Sequence, residues 1–343
     1  MSYLTYNGKL VKSNNKFAIK TISVVPSLEL TWNNIINVPV ANPASVSDWN
    51  TLFNLPTLGT PFTSADVIGN MVSLKGGSGI TTKNDLFNSN GNLIEVSDSG
   101  TITAIGPRSF AYCTSLISSI FSTCTSTLAT PASTPVGSFQ NCLNMISASF
   151  PALITAGEAT FSGCSSLDNP EFPLLQTIKD HCFANCTTLS SVDFPSLKYM
   201  LGFYNFMNCT SLTNPTFPEL LEIASSAFTN CTNLMTTSYP KVAILWSSAF
   251  YTCPSLLTAS LPLCTIIQNG AFQHCTNLDT LYVPRCTDFG GSVGNNNIFT
   301  SDCTALMSIT IDISRETCDA GNPDGDILYA ESINPSLVIT YVA

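Results

Sequence analysis

Charge is what this chain has least of. Only 10% of its 343 residues are Asp, Glu, Lys or Arg, against roughly 25% in an ordinary soluble domain. Its surface must therefore be built from Ser, Thr and Asn. Basic residues are the scarcer sign, 12 against 22 acidic, so no basic stripe can displace counterions from a phosphate backbone. That excludes nucleic acid as a partner class. Histidine is nearly missing, with two in the chain. No apolar run approaches the ~20 residues that cross a bilayer, because Pro, Asn and Ser interrupt each one; membrane insertion is not expected. The opening MSYLTYNGKLVKSNNK also lacks the apolar core of a signal peptide.

Cysteine, by contrast, is abundant at 14, and it is periodic. Phe-x-x-Cys-x-x-Leu occurs at Phe110/Cys113/Leu116, Phe161/Cys164/Leu167, Phe183/Cys186/Leu189, Phe206/Cys209/Leu212, Phe228/Cys231/Leu234, Phe250/Cys253/Leu256 and Phe272/Cys275/Leu278. Phe139/Cys142, with Met145 for Leu, and Cys303/Leu306, with Phe299 one residue early, are variants. The steps between cysteines are 29, 22, 22, 23, 22, 22, 22 and 28. Eight residues after each comes an apolar or aromatic residue, such as Phe172, Phe194 or Tyr239, usually followed by Pro. Eleven after comes Leu, Val or Cys; three further on come Ile178, Met200, Ile223, Leu245 and Ile267. A unit this short cannot close its own core, so successive coils must stack.

Within a coil, Val192 and Phe194 alternate with Ser191 and Asp193, the period of a strand with one buried face. The next Pro ends the strand. Such strands, stacked at about 4.8 Å, predict a parallel sheet along one side. The Ala-Phe-x-x-Cys segment predicts one helical or 3₁₀ turn.

The composite Leu-x-x-(Val/Ile/Ala/Pro)-x-(Phe/Ile)-Pro-x-x-Leu-x-x-Ile-x-x-x-Ala-Phe-x-x-Cys resembles the BspA-like class of leucine-rich repeat over about residues 100 to 311. The resemblance implies an α/β repeat fold, a solenoid of stacked short parallel strands. Around it the reading places a small β-rich attachment domain at 1–90, the solenoid at 91–311 and a C-terminal cap at 312–343. Pro170 and Pro215 replace the usual apolar residue before the outward strand position and predict an irregular strand start in those coils.

Three roles compete for the cysteines. Zinc needs converging Cys pairs; Cys182 and Cys186 have that spacing, but no second pair follows. Disulfides between coils would find the Cα atoms close enough, but equivalent side chains in a ladder point the same way. Buried free thiols acting as small hydrophobes fit best, since Cys124, Cys264 and Cys286 stand where other coils have Leu or Val. Cys318 alone lies outside the period. The Asn-Cys-Thr triplets at Asn185, Asn208 and Asn230 match a glycosylation sequon, yet they read as turn residues beside a buried cysteine.

The ends are less regular. Lys75 beside Gly76, Gly77 and Gly79 has the wrong order for a phosphate loop and reads as a turn. The segment YLTYNGKLVKSNNKFA resembles short N-terminal segments on tail or appendage proteins of phages infecting Bacteroidota, which implies a virion anchor. Near the C-terminus Asn322, Asp324 and Glu331 partly fit a calcium loop, but Ala320 stands at the first ligand position and Pro323 intrudes; a polar turn fits better. Ile333, Leu337, Ile339 and Val342 are candidates for a lid over the last coil.

No nucleophile elbow, His-Glu-x-x-His or paired-carboxylate motif appears, and no catalytic, cofactor or metal residue is assigned. Glu171 and Asp193 fall at one outward position in adjacent coils; strand spacing alone would set their carboxyls roughly 5 Å apart, near a retaining-glycosidase pair, but on an exposed ladder without a cleft. The outward row Glu171, Asp193, Thr216, Ser238, Ser260 and Tyr282 is the candidate binding surface. The reading is a non-enzymatic structural or adhesion protein, first a phage virion component, alternatively a cell-surface BspA-like adhesin, and third a polysaccharide hydrolase. Expected partners are other virion subunits, or a host surface protein or glycan, with a trimer as the oligomer to test.

Overall fold

A coil lays down up to two short strands. The computed structural model describes residues 4–6, 9–11, 27–32, 46–52, most of 55–68, 71–128, 136–286, 288, 298–299, 301–312 and 334–342. Just after the ladder cysteine comes an outward-facing strand, as at Ser147–Ser149, Thr236–Ser238, Thr258–Ser260 and Thr280–Tyr282. Further on comes a two-residue strand, as at Thr155–Ala156, Thr177–Ile178, Tyr199–Met200, Glu222–Ile223, Ile244–Leu245 and Ile266–Ile267. These pair in parallel into a nine-stranded sheet that reaches back through Ser126–Thr127 and Ile102–Ile105 to Ile80–Thr81. The expected single sheet is thus two. A two-residue strand is too short to display an alternation, so in the sequence it appears only as the Ile178-to-Ile267 series.

The segment leading to each cysteine is not the expected helical or 3₁₀ turn. Residues five and one before it have positive φ, as in His181 (56°) and Asn185 (62°), or Ser226 (55°) and Asn230 (60°). A left-handed residue at every fourth position stops each turn before another can follow. Backbone N–H groups therefore alternate between partners: Ala184 N–H bonds within its coil to His181 O (3.1 Å), while Phe183 and Asn185 N–H reach Asn205 O (2.8 Å) and Met207 O (2.7 Å) in the next. Asparagine tolerates this conformation better than most residues, which explains the Asn-Cys-Thr triplets. Their side chains form a ladder of their own, Asn208 Nδ2 donating to Asn185 Oδ1 (2.8 Å) and Asn230 Nδ2 to Asn208 Oδ1 (3.0 Å).

All thirteen described cysteines are buried and free. Their chemistry is more specific than that of a small hydrophobe. Each ladder thiol donates to the carbonyl of the ladder Phe one coil back: Cys186 Sγ to Phe161 O (3.2 Å), Cys209 to Phe183 O (3.1 Å), Cys231 to Phe206 O (3.2 Å), Cys253 to Phe228 O (3.1 Å). That carbonyl already accepts the N–H of its own coil's cysteine, as Phe206 O does from Cys209 (3.2 Å). The thiol is a weak donor, set directly against that buried carbonyl. Above it, the ladder phenylalanines stack nearly parallel, Phe183 on Phe206 at 5.2 Å and Phe206 on Phe228 at 5.4 Å. A second aromatic column runs through Phe150, Phe172, Phe194, Phe217 and Tyr239.

Tyr239 is the misfit in that column. Its hydroxyl is buried without a hydrogen-bond partner, and burial raises its pKa well above the usual value, with Cys231 and Cys253 adding to the shift. An unsatisfied buried hydroxyl costs roughly 1–3 kcal/mol. Tyr239→Phe should therefore raise stability by about 1 kcal/mol, seen as a higher thermal midpoint. A lower midpoint would show that the hydroxyl is used.

The stacking extends past the cysteine repeat at both ends. Phe87, Asn90 and Leu93 occupy the Phe, Cys and Leu slots of one more coil, with Phe87 packed on Phe110 at 5.5 Å. Asn90 Oδ1 accepts the N–H groups of Asn92 (3.0 Å) and Leu93 (3.1 Å), so the slot is filled by a turn asparagine that the cysteine pattern could not reveal. Strand Leu93–Asp98 of that coil pairs antiparallel with Ser27–Trp32, which continues through Met71–Lys75 to Ser64–Ile68. Helix Val46–Leu52 packs here through the fully buried Trp49, and Asn50 clamps Phe62 by both backbone groups (2.8 and 3.1 Å). Lys75 to Gly79 is a turn, with Gly76 and Gly79 at positive φ. Leu4–Tyr6 and Lys9–Val11 form a small hairpin; the rest of the phage-like segment lies outside the described residues. At the other end Val338–Val342 adds in parallel register to Ser308–Asp312, and Leu337 and Ile339 pack on the core. Cys318, Ile333 and the Asn322/Asp324/Glu331 loop lie outside the described residues.

Candidate functional site: a break in the strand face

The outward strand face is not continuous. One sheet of six strands ends at Ser147–Ser149 and one of five begins at Thr236–Ser238. Between them only single bridges remain, Ser149 to Glu171 and Asp193 to Thr216. Among the described residues no strand pairing joins Glu171 to Asp193, or Thr216 to Ser238. Both breaks fall directly after a coil in which Pro replaces the inward apolar residue, Pro170 and Pro215. Proline has no N–H to give a ladder. Backward pairing survives because it uses other groups: Glu171 N–H donates to Ala148 O (2.9 Å) and Phe150 N–H to Glu171 O (3.0 Å). The irregular start expected at Pro170 and Pro215 is thus a loss of forward pairing.

Side chains replace the lost backbone bonds at the first break. Asp168 Oδ1 accepts from Ser190 through its N–H (3.2 Å) and its hydroxyl (2.6 Å), and Ser191 Oγ donates to Asn169 Oδ1 (3.3 Å). Beside them the face sinks into a groove of about 450 Å³. Pro151, Pro173 and Pro195, one per coil, wall it; Glu171 and Asp193 carry its charge, and no Lys or Arg lines it. Ser149 Oγ donates to Glu171 Oε2 (2.9 Å). The expected cleftless ladder is therefore corrected: a groove lies at these coils, and among the described residues no strand pairing joins Glu171 to Asp193. Both side chains are exposed, unlike the apolar enclosure that a glycosidase general acid needs.

The six residues of the candidate row fall into three groups. Glu171 faces Asp193 across the break, Asp193 bridges to Thr216, and Ser238, Ser260 and Tyr282 form a paired row in the five-stranded sheet. Tyr282 is 40% exposed. Among the described residues no group of three His, Cys, Asp or Glu converges as a metal site would require. His181 lies against Tyr204 at 5.1 Å, and His274 Nδ1 meets Asp302 Oδ2 at 2.9 Å.

One exposed feature escaped the sequence reading. Tyr199, Leu201, Phe203 and Tyr204 all reach solvent in a single coil, the one with the 23-residue step from Cys186 to Cys209. The extra residue is accommodated at Gly202, with φ of 78°, and Asp180 Oδ1 holds the following Phe203 N–H (2.8 Å). The uneven step was the available signal.

A family model described as BspA type leucine rich repeat region matches residues 71–132, 132–256 and 200–319 in six copies. Solved structures similar to this chain include a leucine-rich repeat protein of T. pallidum, 20% identical, covering 71% of this chain and 92% of that one, with a TM-score of 0.37. Another, from Eubacterium ventriosum, is 19% identical over 57% and 63%, with a TM-score of 0.43. A leucine rich cell surface protein of Faecalibacterium prausnitzii is 17% identical over 71% and 88%, with a TM-score of 0.33. No curated protein sequence matches. No enzyme family is indicated, and nothing found supports the likeness of the N-terminal segment to phage appendage proteins. With a match that spans well over half its length, the chain belongs to the BspA-type leucine-rich repeat family.

Proposed function

We propose that this protein is a non-enzymatic adhesion protein that works at an exterior surface and recognises a protein or glycan with its outward strand face. The carrying observation is the face itself: rows rich in neutral hydroxyl and amide side chains, with a recessed groove of apolar walls and two carboxylates at the first of its two breaks. Repeat folds serve as interaction scaffolds because stacked coils present a long, regular surface. The family supports adhesion better than a virion role. In this reading the solenoid, 91–311, presents the surface, 312–343 caps it and 1–90 attaches it.

Beads coated with the full chain should adhere to mucin or extracellular matrix. Lysines placed on the strand face, Thr216→Lys with Ser260→Lys, should weaken adhesion at least about tenfold. Lysines at Asn233 and Asn277, exposed but off that face, should leave it unchanged. Equal adhesion by both variants would refute the strand-face reading. The virion alternative rests on the N-terminal likeness alone; immunogold label on purified phage particles would restore it. Removing residues 1–26 tests the anchor cleanly. A cut at 90 would strip Ser27–Trp32 and Met71–Lys75 from the sheet and confound attachment with folding.

A further inference from the structure

We propose that the groove at the first break of the strand face receives the side chain of a lysine or arginine presented by a protein partner. The inference rests on the strand face being a recognition surface and names what one part of it recognises.

Shape and charge point the same way. Pro151, Pro173 and Pro195 repeat at one position of three successive coils, and all three are exposed, so their rings form the apolar flank of a groove of about 450 Å³. Long basic side chains bury their methylene stems along such surfaces while keeping the charged head in water. At the head's end of that flank stand Glu171 and Asp193, on adjacent coils, with no basic side chain in the lining to neutralise them. Asp168, the other nearby carboxylate, is engaged by two donors of Ser190, whereas Glu171 accepts one, from Ser149 Oγ.

The backbone adds acceptors. Where this face is paired, the N–H at the Glu171-type position donates to the carbonyl before it one coil back, as Thr216 does to Val192 (2.9 Å), and the N–H at the Phe-type position donates forward, as Phe194 does to Thr216 (3.1 Å). Across the break, among the described residues, neither bond forms between the Pro170–Phe172 segment and Asp193. The carbonyls of Pro170 and Asp193 are thereby left without their ladder donors, next to two carboxylates. Lysine and arginine are donor-only groups, and they answer both the charge and the acceptors. A neutral saccharide would answer neither charge.

The test uses the full chain and four probes: blocked pentapeptides with a central Arg, Lys or citrulline between glycines, and maltotriose. Amide shifts of Glu171, Phe172 and Asp193 are followed by NMR. The Arg and Lys peptides should move these amides, with binding weakening at least about tenfold as salt rises from roughly 50 to 500 mM. Citrulline should bind at least about tenfold more weakly than Arg, having the same shape without the charge. E171Q/D193N should lose the Arg response while keeping the parent's melting curve, since both side chains are exposed. Equal binding of citrulline, stronger binding of maltotriose, or an unchanged response in E171Q/D193N would overturn the proposal. Peptide binding without bead adhesion would leave the groove standing and remove the adhesion reading. Full bead adhesion by E171Q/D193N would show recognition running elsewhere and remove the groove.

Discussion

Between pH 9 and pH 10.5 the protein should lose its fold in one cooperative step while releasing about ten protons. Burial pushes Cys113, Cys124 and Cys209 up to about 12 and Cys264 up to about 11, from an ordinary value of 9.0. Cys142, Cys182, Cys186, Cys231, Cys253 and Cys275 are raised for the same leading reason, loss of solvent around the thiolate. The fold therefore holds these protons after the unfolded chain has lost them. Stability is complete below about pH 9 and falls as pH climbs toward the folded values. One unit above the unfolded pKa, a thiol held near 11 or higher in the fold has given up roughly 1.4 kcal/mol. The strongly raised thiols together reach on the order of 10 kcal/mol, the whole stability of an ordinary domain. Circular dichroism and thiolate absorbance should change together along the pH series. At pH 8 a thiol reagent should find little in the folded protein and close to 14 thiols after denaturation. Thiolate absorbance growing near pH 9 with the circular dichroism intact would sink this account.

The same cysteines show which parts of the fold could be read from residues. The Phe, Cys and Leu positions were legible because a stacked coil repeats its inward contacts at a fixed step, and Phe183, Cys186 and Leu189 are all fully buried. Cys as hydrophobe was legible too, since Cys124 and Cys264 share a slot with Leu. Its hydrogen bond to a Phe carbonyl was not, because nothing in a sequence reports which backbone group lies opposite a side chain. The two-residue strands were hidden by their length, and the coil at Phe87 by an asparagine in the cysteine slot. At the candidate site, the outward row and the Pro170 irregularity were readable. The groove was not, because it follows from which side of the strand a missing N–H would have served. Pro170 costs the forward bonds alone, and the depression spans the coils of Pro151, Pro173 and Pro195 around that break.

Phe206→Ala should be the most damaging single core truncation among the central coils. Its ring lies between Phe183 at 5.2 Å and Phe228 at 5.4 Å, at interplanar angles of 5° and 3°, with Phe217 at 5.7 Å on its flank. Truncating a buried Phe to Ala costs about 3–5 kcal/mol, and stacked neighbours on both faces place this one at the upper end. The loss also falls where the solenoid is already weakest. Coils interact only with their neighbours, and on the strand face the two breaks leave the coils of Cys186 and Cys209 strand-paired to each other but not to the sheets on either side. The continuous two-residue strands and the aromatic columns must carry the coupling there. With Phe206 gone, urea unfolding should split from one transition into two, the two flanking sheets melting separately. Phe299→Ala offers the comparison: its ring meets Phe272 at 6.2 Å, near the end of the column, and its loss should lower the midpoint while leaving a single transition. A single transition for Phe206→Ala, with a midpoint no lower than that of Phe299→Ala, would mean that the strand-face breaks do not define where this solenoid comes apart.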